Sequence, residues 1–121
     1  MANQIVWCDI PVQDLDRAIR FYGAVLGKPV TKQSSGDMTF GLLPDADAGV
    51  SGCLYVGEEA KPSPDGPLIY LNCEGRLPIA IAAVELNGGK IIKHKHPIGP
   101  HGFRAIVLDT EGNRIALHSS Q

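Results

Sequence analysis

Four histidines, thirteen carboxylates and three cysteines are the groups in this chain that could do chemistry, and few fall at a spacing that chemistry requires. His94 and His96 form an HxH pair. On a strand alternate side chains share a face, so both imidazoles would project together. His101 follows in the loop Pro97-Ile98-Gly99-Pro100-His101-Gly102. Three imidazoles this close could bind zinc or copper. No carboxylate lies near them in sequence to orient the rings, and Lys93 and Lys95 flank them, so a solvated strand edge with at most adventitious metal at His94 and His96 is the better expectation. His101 could be a general base, but a rim or structural role suits a Gly/Pro loop better. Asp9 and His118 are a carboxylate and an imidazole near the two ends of the chain. Brought face to face they would make an acid–base pair; otherwise they make a polar rim contact or an ion pair. Cys53 could be a nucleophile only as a thiolate. With no helix N-terminus or cation argued beside it, an inert buried thiol is expected.

The chain that must position these groups has 121 residues, enough for one domain with a real core. Hydrophobic residues make 44% and charged residues 20%, an ordinary globular balance. A net charge of -2 and a pI of about 6.0 give no basic footprint for nucleic acid, and the cluster from Lys90 to Lys95 is short. No apolar run reaches the roughly 18 residues of a membrane span. Met1-Ala2-Asn3-Gln4 lacks the basic and apolar regions of a signal peptide. The odd cysteine count, Cys8, Cys53 and Cys73, then predicts reduced thiols in the cytoplasm.

Ile5 to Val12 reads as a strand, and Asp14 can cap the helix that follows. Leu15, Ala18, Ile19, Tyr22, Val25 and Leu26 fall on one helical face, and Gly27 supplies the left-handed stop. Strands are predicted at Pro29–Gln33, Met38–Leu43 and Ser51–Val56. Residues 58–66 read as a Pro-rich linker that neither a helix nor a central strand can cross. After it come a strand at Leu68–Cys73 and a helix from near Leu77-Pro78. Ile79, Ile81, Val84 and Leu86 make that helix apolar almost all round, so it should be well buried. Strands at Lys90–His96, Phe103–Leu108 and Arg114–Ser119 close the chain.

The two halves repeat. Residues 18–30 align without a gap on residues 80–92, matching alanine, isoleucine, glycine and lysine at Ala18/Ala80, Ile19/Ile81, Gly27/Gly89 and Lys28/Lys90. A period of half the chain is too long for a solenoid and suits two fused modules. The expected fold is α+β: two βαβββ modules, about 1–57 and 67–121, forming a cup of mixed β-sheet.

Two segments carry a family likeness. Asp9-Ile10-Pro11-Val12-Gln13-Asp14-Leu15-Asp16-Arg17-Ala18-Ile19-Arg20-Phe21-Tyr22, with Val25-Leu26-Gly27, resembles the opening of the vicinal oxygen chelate superfamily, which includes glyoxalase I, bleomycin-resistance proteins and extradiol dioxygenases. Asp109-Thr110-Glu111-Gly112-Asn113-Arg114-Ile115-Ala116-Leu117 resembles its closing hairpin. The resemblance implies paired βαβββ modules and a homodimer with two cups. It also implies four metal-ligand positions on the first and last strands of the modules, which fall here on Trp7, Cys53, Leu68 and Ala116. A divalent metal needs His, Gln or Glu there. Their replacement argues against glyoxalase I and dioxygenase chemistry and predicts no family cofactor.

What remains is a metal-free cup with apolar Trp7 and Leu68 in its wall. Strand alternation adds Asp9, Tyr55, Tyr70, Asn72, Arg114 and His118 to the same faces as Cys53 and Ala116. One of Phe103 and Arg104 should point inward, and Arg104 is carried as the pocket residue. The expected function is metal-independent binding of a small organic molecule by a homodimer, as a sequestering or carrier protein, without nucleic-acid or membrane partners. The alternative is a glyoxalase-related lyase or isomerase in which Asp9 and His118 replace the metal.

Overall fold

The computed structural model describes residues 3–58 and 61–121, so Glu59 and Ala60 of the expected linker, and Met1 and Ala2, lie outside the described residues. Strand β1 (Trp7–Pro11) leads into helix α1 (Leu15–Leu26), then β2 (Thr31–Ser35), β3 (Met38–Leu42) and β4 (Ser51–Tyr55). The order recurs as β5 (Ile69–Asn72), α2 (Leu77–Leu86), β6 (Lys90–Pro97), β7 (Phe103–Leu108) and β8 (Arg114–Ser119), with a 3-10 turn at Gly99–His101. Two four-stranded mixed sheets result, ordered β1-β4-β3-β2 and β5-β8-β7-β6. In each, the first strand runs parallel to the last and the remaining pairs are antiparallel. This is the α+β fold of two βαβββ modules that the sequence predicts.

The backbone fixes which positions correspond. Val12 N–H donates to the Tyr55 carbonyl at 2.8 Å, and Cys73 N–H donates to the His118 carbonyl at 2.8 Å. Stepping back along the parallel pairs sets Asp9 against Tyr70, Trp7 against Leu68 and Cys53 against Ala116.

Local chemistry explains the elements. The Asp14 side chain accepts from Arg17 N–H and opens α1, and Gly27 closes it at φ 72°. Gly27 is also needed for space, because a Cβ there would lie 2.6 Å from the Arg76 guanidinium carbon. That guanidinium donates to the Val25 carbonyl and links the end of α1 to the start of α2. Ala18, Phe21, Tyr22 and Val25 face the core. The second strand begins two residues later than expected, at Thr31, because Pro29 has no N–H to give a ladder.

Helix α2 corrects an expectation. It buries Leu77, Ala80 and Val84, but Ile79 is 62% exposed and Leu86 is 85% exposed. One helix covers one sheet face, so only the side turned to the sheet and to α1 is hidden. An apolar outer side does not bury itself without a further layer to meet.

The core is one cluster drawn from both halves, including Ile10, Phe21, Tyr22, Leu54, Leu77, Val84, Ile115 and Leu117. The loop from Asp109 to Asn113 ties the halves together. Asp109, buried, accepts from the Tyr22 hydroxyl at 2.6 Å and from the backbone N–H groups of Glu111 and Asn113 at 2.8 and 2.9 Å. The Glu111 carboxylate accepts from the N–H groups of Gln13 and Asp14, each at 2.9 Å, and from Arg17 Nε at 2.8 Å. Burial pushes the Glu111 carboxyl up, but Arg17, the Asp14 N–H, the Thr110 hydroxyl and the Gln13 N–H pull it down further, to about 2. Asn113 Nδ2 donates to the Pro11 carbonyl at 2.7 Å. The two segments that carry the family resemblance are therefore hydrogen-bonded to each other.

Candidate functional site

Each sheet places one edge strand, β1 or β5, with hydrogen bonds on one side only. The other sides of these two strands line a single cleft of about 1090 Å³. Consecutive residues contribute, 7–11 from β1 and 67–72 on and before β5, so the strand edges themselves face the hollow. Helix-facing side chains such as Ile10 and Leu71 meet it on one side of the sheets, and open-face side chains such as Trp7 and Tyr70 on the other.

On the first sheet, Trp7 is 41% exposed and donates Nε1–H to Asp9 Oδ1 at 3.0 Å. Cys53, paired with Asp9 across β1 and β4, donates its thiol to the same oxygen at 3.3 Å. Burial pushes the Cys53 thiol up, and the hydrogen bond to Asp9 and its charge push it further, to about 11. A thiol held this way is scarcely ionised at neutral pH, and it is half-buried rather than buried as the sequence suggested. Tyr55 follows Cys53 by two on the same open face. Gly52 lets β4 approach β1, since a Cβ there would lie 2.2 Å from the Cys8 carbonyl oxygen.

On the second sheet, Arg104 settles the phase of β7. Ala105 and Val107 are buried toward α2, so Arg104 shares the open face with His118, its partner across β8, while Phe103 packs on the core. Arg104 donates to the Tyr70 hydroxyl and, through Nε, to His96 Nε2 at 2.9 Å. A guanidinium can only donate, so His96 Nε2 accepts. Its Nδ1 carries the proton and donates to the His94 carbonyl at 2.8 Å. Tyr70 is 46% exposed, and its ring meets His118 edge-on with centroids 6.2 Å apart. His118 donates from Nε2 to the His101 carbonyl at 2.7 Å, which gives the His101 loop a structural role through its backbone.

The predicted residues divide. Trp7, Asp9, Leu68, Tyr70, Asn72 and Arg114 line the cleft; Cys53, Tyr55, Arg104, Ala116 and His118 lie outside its lining. Ala116 is on the open face by register but fully buried, so it offers no surface to a ligand. Asn72 spends its side-chain oxygen on the Glu74 N–H at 2.9 Å. Asp9 and His118 are not joined by a hydrogen bond or ion pair among the described residues; each has the separate partners given above. Two contributors went unrecognised. His96, read as a solvated edge residue, orients Arg104. The register shifts along β6, between Ile91 and Lys93 and between Lys93 and His96, erase the alternation that would have revealed it. Lys61, Asp65 and Gly66 of the linker also line the cleft, and no periodicity marks a loop for such a role.

A divalent cation held by the four corresponding positions would meet an indole, an isobutyl group, a methyl group and one thiol held protonated. That donor set does not fit a cation.

The sequence of residues 4–117 matches the family model of the glyoxalase/bleomycin resistance protein/dioxygenase superfamily. A glyoxylase-like domain-containing protein from Didymella fabae is 31% identical over 127 residues, spanning 95% of this chain and 92% of that protein. Among solved structures, a glyoxalase/bleomycin resistance protein from Albidiferax ferrireducens T118 superposes with a TM-score of 0.75 at 18% identity, covering 97% of this chain and 98% of the other. A glyoxalase-related enzyme from Fulvimarina pelagi gives a TM-score of 0.70 at 16% identity over 97% and 88%. At such identities the two structures speak to the fold alone. With the family match running from just before β1 into β8, the chain belongs to the glyoxalase/bleomycin resistance protein/dioxygenase superfamily.

Proposed function

We propose that this protein binds a small organic molecule in the cleft between β1 and β5, without a metal, as a sequestering or carrier protein. The observation that carries this is the donor set at the paired positions: Trp7, Cys53, Leu68 and Ala116 make no metal-ligand set, and Trp7 and Leu68 line the cleft with apolar surface instead. The exposed indole of Trp7 and phenol of Tyr70 on facing strand edges support a flat, partly apolar ligand. Three free thiols, Cys8, Cys53 and Cys73, support a reducing compartment such as the cytoplasm, and no helix of the described residues is long and apolar enough to cross a membrane. A homodimer is part of the same reading, as the family resemblance implies. Light scattering on the 12.9 kDa chain would then report about 26 kDa.

Calorimetric titration tests the metal-free reading. Protein stripped with EDTA should bind members of an aromatic and aliphatic ligand panel as well as untreated protein does. Tight, stoichiometric uptake of Ni²⁺ or Zn²⁺ that ligand binding depends on overturns it. The lyase or isomerase alternative requires Asp9 and His118 to work as one unit, and no contact favours that over separate structural roles. Turnover of a dicarbonyl–thiol adduct, abolished in His118→Ala, would restore it.

A further inference from the structure

Charged side chains of both signs line the cleft, among them Lys28 and Asp45 on the first module and Glu74 and Arg76 on the second. The β1 wall carries Asp9, whose Oδ1 already accepts from Trp7 and Cys53. The opposite wall, from β5 and β8, carries Tyr70 and the Arg114 guanidinium; the Arg104 guanidinium stands behind Tyr70, outside the lining, and neither guanidinium has a carboxylate within ion-pair distance among the described residues. Both are only part-exposed on the open sheet face, where charge is normally neutralised. Arg104 is bonded to neutral acceptors alone, the Tyr70 hydroxyl and His96 Nε2. Arg114 lines the cleft, donates to the Gly66 carbonyl at 3.1 Å, and has a buried Nε with no acceptor.

The proton count at Tyr70 sharpens this. Its oxygen accepts from Arg104, so its own O–H is free to donate, and Tyr70 lines the cleft. One hydroxyl donor, backed by a guanidinium that His96 holds in a fixed orientation, stands on the same face as a second guanidinium with an unmet N–H. Such donors, without a protein anion to fill them, match the oxygens of a carboxylate or phosphate.

We propose, resting on the small-molecule reading above, that the ligand is an organic oxyanion. Its charged oxygens are received by Arg114 and by Tyr70, which Arg104 backs from outside the lining, and its apolar body lies toward Trp7. The Asp9 carboxylate on the opposite wall sets the direction, since it repels the anionic end.

The test compares benzoate, benzamide and inorganic phosphate by calorimetry, with the fluorescence of Trp7, the chain's only tryptophan, as a second readout. Benzoate should bind about ten- to a hundredfold more tightly than benzamide, the range of a charge-assisted hydrogen bond. Arg104→Gln and Arg114→Gln should each remove most of that preference. Arg104→Lys, which keeps the charge but not the fork, should keep part of it, and near-UV circular dichroism checks that every variant is folded. Phosphate binding alone would place the oxygens at the same donors without the apolar body and supports the site. Equal binding of benzoate and benzamide overturns the oxyanion assignment and leaves the small-molecule reading standing, as does a benzoate preference that survives both glutamine substitutions. Binding of none of the three into the millimolar range removes the small-molecule reading and this inference with it.

Discussion

Asp9 shows how one side chain decides the chemistry of its neighbours. Its Oδ1 takes both the Trp7 indole N–H and the Cys53 thiol, so the indole is fixed at the cleft mouth and the thiol is kept protonated. With burial and Asp9 raising the Cys53 pKa from 9.0 to about 11, the thiolate at pH 8 is about a hundredfold scarcer than for an unperturbed cysteine. Iodoacetamide labelling followed by peptide mass spectrometry should find Cys53 at least tenfold slower than a free thiol, and Asp9→Asn should speed it by removing the charge. Labelling of wild-type Cys53 at the free-thiol rate would mean that the contact is not made in solution. Tyr22 is the buried counterpart. Its hydroxyl is one of four donors to Asp109, and burial, then Asp109, push it well above its ordinary pKa, so it stays a phenol. Tyr22→Phe keeps the packing and removes one donor from a buried carboxylate. It should lower unfolding free energy by about 1.5–3 kcal/mol in urea melts.

At the scale of elements, the Asp109–Asn113 loop joins the start of α1 to the turn before β8. The Glu111 side chain is fully buried against Gln13, Asp14 and Arg17. Its folded pKa lies near 2 and its ordinary value is 4.5, so the stabilisation it gives is complete above about pH 4.5 and fades as pH falls toward 2. At neutral pH the difference corresponds to roughly 2–3 kcal/mol, after allowing for solvent around the half-exposed Arg17. Melting temperatures from pH 7 to pH 2 should fall for the wild type across that window. For Glu111→Gln they should start lower and fall less; parallel curves would show that the carboxylate does not drive the acid limb. These elements were also the legible ones. The helical face of Leu15 to Leu26, the Asp14 cap, the Gly27 stop and the half-chain repeat all act through local geometry that a sequence records. The burial of α2 was not legible, because its pattern says which residues are apolar but not how many layers surround them. The site was legible as faces on β1 and β5, where alternation holds, and was lost on β6, where register shifts put His96 beside Arg104. Which open-face residues line the hollow depends on how two sheets sit side by side, and no local pattern encodes that.

Over the whole molecule, the two modules look self-similar but do not hold separate interiors. Phe21 of α1 lies so close to Gly89, just before β6 of the second module, that a Cβ there would sit 2.5 Å from its ring. Tyr22 reaches Asp109, Arg17 reaches Glu111, and Arg76 reaches back to the Val25 carbonyl. The buried cluster mixes Ile10, Val25 and Leu54 with Leu77, Val84 and Leu117. A fragment of 1–57 would lose the packing of α1 against α2, and lose every hydrogen bond from the Asp109–Asn113 loop, including the one that satisfies Tyr22. Chains this short bury a smaller share of their surface than a full-length domain does. Expressed alone, 1–57 and 67–121 should each lack a cooperative thermal transition, and mixing them in equal amounts should restore one, read by circular dichroism. The cleft offers the matching readout, since Trp7 belongs to one fragment and Tyr70 to the other. Fluorescence of Trp7 should change on mixing and reverse on melting. A fragment that melts cooperatively by itself would show that each module keeps its own core, and that β1 and β5 face each other only because the chain tethers them.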